Sequence, residues 1–286
     1  MQRLFAIAAL LLLSACVTVE IPECCPDTAE PTRLRGDQLR VVNLNMAHGR
    51  GTSINQMLVS KQSFLNNLDA IAEQLTATQP DVVALQEVDA ASRWSGLFNH
   101  LDYLRTKTGW REYIHGEHQQ GYLANFGTAL VSPHDLQGEY SQRFKSTWPT
   151  TTKGFVTATI SWEGANKTTN LTVYSVHLDF SRRKVRQAQI DQLMDYIGKT
   201  IGPIIIAGDF NGELANKDSA VRELIDELGL KAYQPDAEGL GTYKKSTGKR
   251  LDWILISQEL EFIDYRVIED KVSDHLTVVA DIAYRP

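Results

Sequence analysis

Six short stretches of this chain set oxygen ligands and imidazoles beside apolar runs. They are Asn45-Met46-Ala47-His48-Gly49, Gln86-Glu87, Ser175-Val176-His177-Leu178, Gly208-Asp209-Phe210-Asn211, Arg250-Leu251-Asp252-Trp253-Ile254 and Ser273-Asp274-His275. The cysteines are Cys16, Cys24 and Cys25, so a cysteine metal site is excluded beyond position 25. Hard oxygens without thiolates suit Mg2+, Mn2+ or Ca2+ rather than Zn2+. Mg2+ commonly takes one or two protein carboxylates and leaves its other positions to water and substrate phosphate. Glu87 with Asn45, and Asp274 as a further candidate, fits that sparse pattern.

Such residues act together only if the fold gathers them. Leu39 to Asn45 reads as a strand. Phe64, Leu65, Leu68, Ile71, Ala72 and Leu75 recur at helical spacing, and Pro80-Asp81 ends that helix. Val82 to Glu87 is then a buried strand, which completes a β-α-β unit. The arrangement recurs: a strand from Leu171 to His177, a helix capped by Ser181 and running to about Ile197, and a strand from Ile204 to Asp209. Phe126 to Val131 and Phe155 to Trp162 alternate like antiparallel strands. A helix near Ser219 to Leu228 and strands from Leu251 to Ser257 and Thr277 to Ala283 follow.

The strands are too many and too mixed for a parallel dinucleotide-binding sheet, and no Gly-rich phosphate loop follows the first one. The expected fold is α/β: two mixed sheets packed as a sandwich, with helices outside. Strand ends would then converge at one edge. Asn43 is expected to point away from Asn45 and to be structural. His48, His115, His118 and His134 are expected in loops, with 116–125 as a substrate loop. Trp94, Trp110, Trp148 and Trp253 should fill the core or strand edges. Arg182, Arg183 and Arg186 read as a solvated helix face.

The 286 residues are 43% hydrophobic, which excludes a disordered chain. A net charge of −6 disfavours tight, charge-driven, non-specific nucleic-acid binding but leaves nuclease chemistry open. Arg3 precedes an apolar run, Leu4 to Leu13, that is too short to span a bilayer as a helix. Leu13-Ser14-Ala15-Cys16 resembles a bacterial lipobox. That resemblance implies a signal peptide over 1–15 and lipid on Cys16; Val17 in place of Asp favours the outer membrane. Pro22, Pro26, Pro31 and Gly36 mark 16–38 as a flexible tether. Adjacent Cys24 and Cys25 rarely close a ring on each other. One domain is expected over 39–286.

The six motifs, in this order, resemble those of the endonuclease/exonuclease/phosphatase superfamily, with its deoxyribonuclease-I-like four-layer fold. The resemblance covers roughly residues 39 to 286. It implies that Glu87 is the main metal carboxylate and Asn45 its neighbour, with Mg2+ (or Mn2+ or Ca2+) as cofactor. Asp209 would align or deprotonate the attacking water, and Asn211 would orient it or bind a phosphate oxygen. His275 would hydrogen-bond the phosphate or take the water's proton, while Asp252 fixes its tautomer. Asp274 would ligate a metal or hold its loop. His177 would donate to the phosphate, and Lys153 is a candidate phosphate contact.

The implied activity is metal-dependent hydrolysis of a phosphate ester, with a lipid head group or nucleic acid as alternative substrates. A non-catalytic binding lipoprotein would lack some of these polar residues, and none is missing. A monomer held to the membrane by its lipid is expected, with nucleic acid as an optional partner. All the named side chains should meet in one cleft.

Overall fold

The computed structural model describes residues 32–164, 168–216, 219–246, 248–269 and 272–285. The expected signal peptide, Cys16 and most of the tether lie outside the described residues. The strands are β1 (Leu34–Arg35), β2 (Gln38–Asn45), β3 (Val82–Asp89), β4 (Glu112–Gln119), β5 (Phe126–Ser132), β6 (Gln137–Arg143), β7 (Gly154–Glu163), β8 (Thr168–His177), β9 (Ile204–Asp209), β10 (Lys231–Ala232), β11 (Asp252–Ile256), β12 (Leu260–Ile268) and β13 (Thr277–Tyr284). The α-helices are α1 (Lys61–Ala77), α2 (His100–Thr108), α3 (Arg183–Ile197) and α4 (Ala220–Leu228).

Two mixed sheets face each other. One runs β1-β7-β8-β9-β11-β10, with β6 also on β7; the other runs β12-β13-β2-β3-β5-β4. Alternation along the strands builds three apolar layers. Val41, Ala84, Val173, Ala207 and Ile254 meet between the sheets. Val42, Leu44, Val83 and Leu85 pack outward on Phe64 and Leu68 of α1 and Leu101 of α2. Tyr174, Val176, Ile204 and Ile206 pack on Ile190 and Leu193 of α3 and Val221 of α4. The order is helix, sheet, sheet, helix, as expected.

The same alternation positions the polar residues. Asn45, His177, Asp209 and Asp252 keep the phase of the inter-sheet face and cap its apolar core at one edge. Register confirms the common edge: His177 lies opposite Asp209, Asp209 opposite Asp252, and Asn45 opposite Gln86.

Several expectations are corrected. Asn43 is two residues from Asn45 and therefore shares its face; it accepts a 2.9 Å bond from Gln86, which also reaches Ser175 across the sheets. Arg182, not Ser181, precedes α3, and the Asp179 carboxylate caps this turn by accepting from the Ser181 and Arg182 amides. His115 and His118 belong to β4, so 116–119 is strand rather than loop. Trp148 is exposed, because the loop after β6 carries it off the core. The sheet begins inside the expected tether: Leu34 is buried and β1 pairs in parallel with β7.

Candidate active site

Glu87 reaches the site through a backbone irregularity. Strict alternation would turn it outward with Val83 and Leu85. A β-bulge shifts the β3–β5 register between Gln86 and Val88, and Glu87 takes φ 51°. Val88 recovers the outward face, and Glu87 points into the cleft. Gly208 serves the neighbouring strand end: a side chain there would run into the Val176 carbonyl, so only glycine lets β8 and β9 close beside Asp209.

The cleft occupies about 350 Å³ and is lined by Glu87, His177, Asp209, Asn211, Asp274 and His275. Asp209 sits at its centre. Its carboxylate accepts from Asn45 Nδ2 and the Asn211 amide, both at 2.9 Å. His177 Nε2 lies 3.5 Å from it and His275 Nε2 3.9 Å. Burial pushes the Asp209 carboxyl up to about 7, against the pull of His275.

Asp252 stands behind His275. Its Oδ2 takes a 2.8 Å bond from His275 Nδ1 and a 2.6 Å bond from the Thr242 hydroxyl. Burial alone would depress His275, but Asp252 and Asp209 raise it to about 10, so the ring is an imidazolium at neutral pH. His177 behaves oppositely. Burial, then Lys153 and His275, hold it well below the usual range. Lys153 Nζ lies 3.4 Å from His177 Nδ1, which assigns the ring proton to Nε2. Lys153 is buried beneath His177, 4.0 Å from Glu87, and does not line the cleft.

Glu87 is half-buried; desolvation alone would raise its carboxyl, but His48, Lys153, His275 and Arg50 together hold it below its usual range. Its second oxygen lies 3.3 Å from His48 Nε2, and the other face of that imidazole meets Asp89 at 3.0 Å. The chain Asp89–His48–Glu87 was not read from the sequence. Asp89 follows Glu87 by two residues, and the bulge at Glu87 hides their common target. Asn211 donates to the Leu178 carbonyl at 3.0 Å. Asp274 reaches the cleft with its carboxylate committed to Arg50 (2.9 Å) and Lys245 (2.6 Å).

The donor set suits a hard divalent cation. Glu87 is anionic and faces the cleft, and Asn45 sits on the adjoining strand end with its amide oxygen fixed by the Ala47 amide. Asp209, Asp252 and His275 also each offer one ligand atom within 4.8 Å of one another. Asp252 Oδ2 and His275 Nδ1, however, are committed to each other.

A family model for the endonuclease/exonuclease/phosphatase family matches residues 42–275. The chain belongs to this family. Its members are typically hydrolases of phosphate esters and use divalent metals. A search of the curated proteins finds no match. Among solved structures, a family protein from Leptotrichia buccalis is 21% identical, with a TM-score of 0.67 over 86% of this chain and 100% of that one. The human Nocturnin catalytic domain with bound sulfate is 19% identical, with a TM-score of 0.63 over 90% and 97%. A mannosyl-6-phosphatase of Bacteroides thetaiotaomicron is 14% identical, with a TM-score of 0.60 over 86% and 100%. These likenesses show a shared fold.

Proposed function

We propose that the protein is a divalent-metal-dependent phosphoesterase that hydrolyses a phosphodiester, or a phosphomonoester, by in-line attack of water. The observation that carries this reading is the convergence of Asp209, His177 and the Asp252–His275 pair on one cleft that also holds Glu87. A cation held by Glu87 and Asn45 would neutralise charge on the phosphate oxygens.

The chain's own groups divide the remaining tasks. Asp209 has a carboxyl near neutrality and accepts the proton of the attacking water, while Asn45 and the Asn211 amide hold it in place. His275 is already protonated, so it donates to a phosphate oxygen rather than taking the proton. His177 presents its Nε2 proton from the other side.

The test is release of nitrophenol from bis-p-nitrophenyl phosphate with Mg2+, Mn2+ or Ca2+. We expect turnover that Glu87→Ala and His275→Ala each remove. Turnover that survives both substitutions, or none in the wild type, sinks the reading. Supercoiled plasmid, sphingomyelin and phosphoinositides assayed in parallel separate the nuclease and lipid-head-group alternatives. Lipid on Cys16 would hold the enzyme at the bacterial envelope, a reading supported by Leu4 to Cys16. Cys16→Ser should move it to the soluble fraction.

A further inference from the structure

A second cleft, of about 480 Å³, adjoins the catalytic one. The two share Phe180, Asn211, Lys249 and Leu251, so they form one continuous trough. The far part carries Arg183 and Arg186 of α3, with Lys249 on the opposite loop; Glu213 is the single carboxylate among its described lining residues. The three basic residues therefore outweigh one acid. The sequence read this arginine cluster as a solvated face, but its members have separate tasks. Arg182 turns to the Thr147 and Trp148 carbonyls and the Thr150 hydroxyl. Arg186 is half-buried, held by a 3.0 Å bond to the Asp179 carbonyl, and lines the trough with Arg183.

Two more features mark this wall. Ser219 and Ala220, where α4 begins, line it, and the Ser219 hydroxyl is buried without a hydrogen-bond partner among the described residues. Ser219 makes no side-chain cap bond to α4. Phe180 is 63% exposed at the junction of the two clefts, where its ring can cover the group joining two anions.

We propose that this second cleft is a subsite for a second phosphate of the substrate, gripped by Arg183, Arg186 and Lys249. It rests on the phosphoesterase reading and narrows the substrate to esters with a phosphate beyond the scissile one. Guanidinium forks and ammonium groups favour phosphate through charge-assisted bonds.

Calorimetry with Mg2+ present tests it by affinity rather than by rate. Thymidine 3′,5′-bisphosphate is compared with thymidine 5′-monophosphate, and inositol 1,4-bisphosphate with inositol 1-phosphate. At about 0.15 M salt, non-specific attraction is screened beyond about 8 Å. In one of the two pairs the bisphosphate should bind about tenfold more tightly or better, as an added charged hydrogen bond implies. Arg183→Ala and Lys249→Ala should each collapse that ratio, and the pair that shows it identifies the source as nucleotide or head group. Equal affinities in both pairs, or a ratio that survives both substitutions, overturn the subsite. Turnover of bis-p-nitrophenyl phosphate by the same preparation tests the phosphoesterase reading separately.

Discussion

Residue by residue, the cleft is organised by pairs in which one side chain sets the state of another. Asp252 and Asp209 raise His275 against its burial, and burial followed by Lys153 holds His177 low, with its ring proton toward Asp209. An amide in place of the Asp252 carboxylate removes the anion that stabilises the imidazolium. Asp252→Asn should lower kcat by about a hundredfold or more with little change in KM; an orienting carboxylate has cost up to about 10⁴ elsewhere. Steady-state kinetics on the chromogenic diester decide it, and a drop confined to KM would contradict the role. His48 acts one step further out, between Asp89 and Glu87. Partners that orient a ligand carboxylate typically carry about ten- to a hundredfold in metal affinity. His48→Gln should raise the Mn2+ concentration for half-maximal activity by that factor, with a matching loss of the Mn2+-induced rise in Tm. An unchanged Mn2+ requirement would make His48 a packing residue alone.

At the scale of elements, phase explains what was legible. Asn45, His177, Asp209 and Asp252 follow from alternation in strands whose apolar residues face two ways, so the sequence predicts both the strands and their polar ends. Glu87 lies in a bulge, which no periodicity announces; its motif, not its phase, pointed to the site. The strands that escaped the sequence reading include β4, β6 and β12, whose outward residues are polar or irregular, so neither alternation nor an apolar run marks them. Asp89 and His48 stayed hidden because their meeting depends on that bulge and on His48 adopting φ 57°. β4 carries a testable consequence. Its His118 is buried against Gly154 with Nε2 on the Thr128 hydroxyl, and burial followed by His115, Arg143 and Lys153 lowers it to about 3. The folded state therefore holds this ring neutral while the unfolded chain protonates near 6.5. Its contribution is complete above about pH 6.5 and is lost as pH falls towards 3. Imidazole NMR signals of His118 should stay untitrated down to about pH 4 in the folded protein. A midpoint near 6.5 without unfolding would show a solvated ring.

For the molecule as a whole, the catalytic edge and the chain's entry into the fold lie at opposite ends of β7. Gly154 pairs with His177 at the cleft, whereas Leu34 of β1 pairs with Trp162 eight residues away. At about 3.3 Å per residue this separates the two ends by roughly 26 Å. Stability and chemistry should therefore come apart on truncation. Leu34 is 2% exposed in the inter-sheet core, and Trp162 Nε1 donates to the Gly36 carbonyl at 2.7 Å. A chain beginning at Arg33 keeps both. A chain beginning at Gln38 loses an apolar side chain from the core and leaves a buried indole N–H without its acceptor. Those losses cost about 3–6 kcal/mol together. The urea midpoint should fall for the shorter chain and not for the longer one. The kcat of the fraction that remains folded should match in both, because no group within reach of Asp209 has moved. Equal midpoints would place β1 outside the cooperative core, and a lower kcat in the folded fraction would show that this distant strand sets the geometry of the cleft.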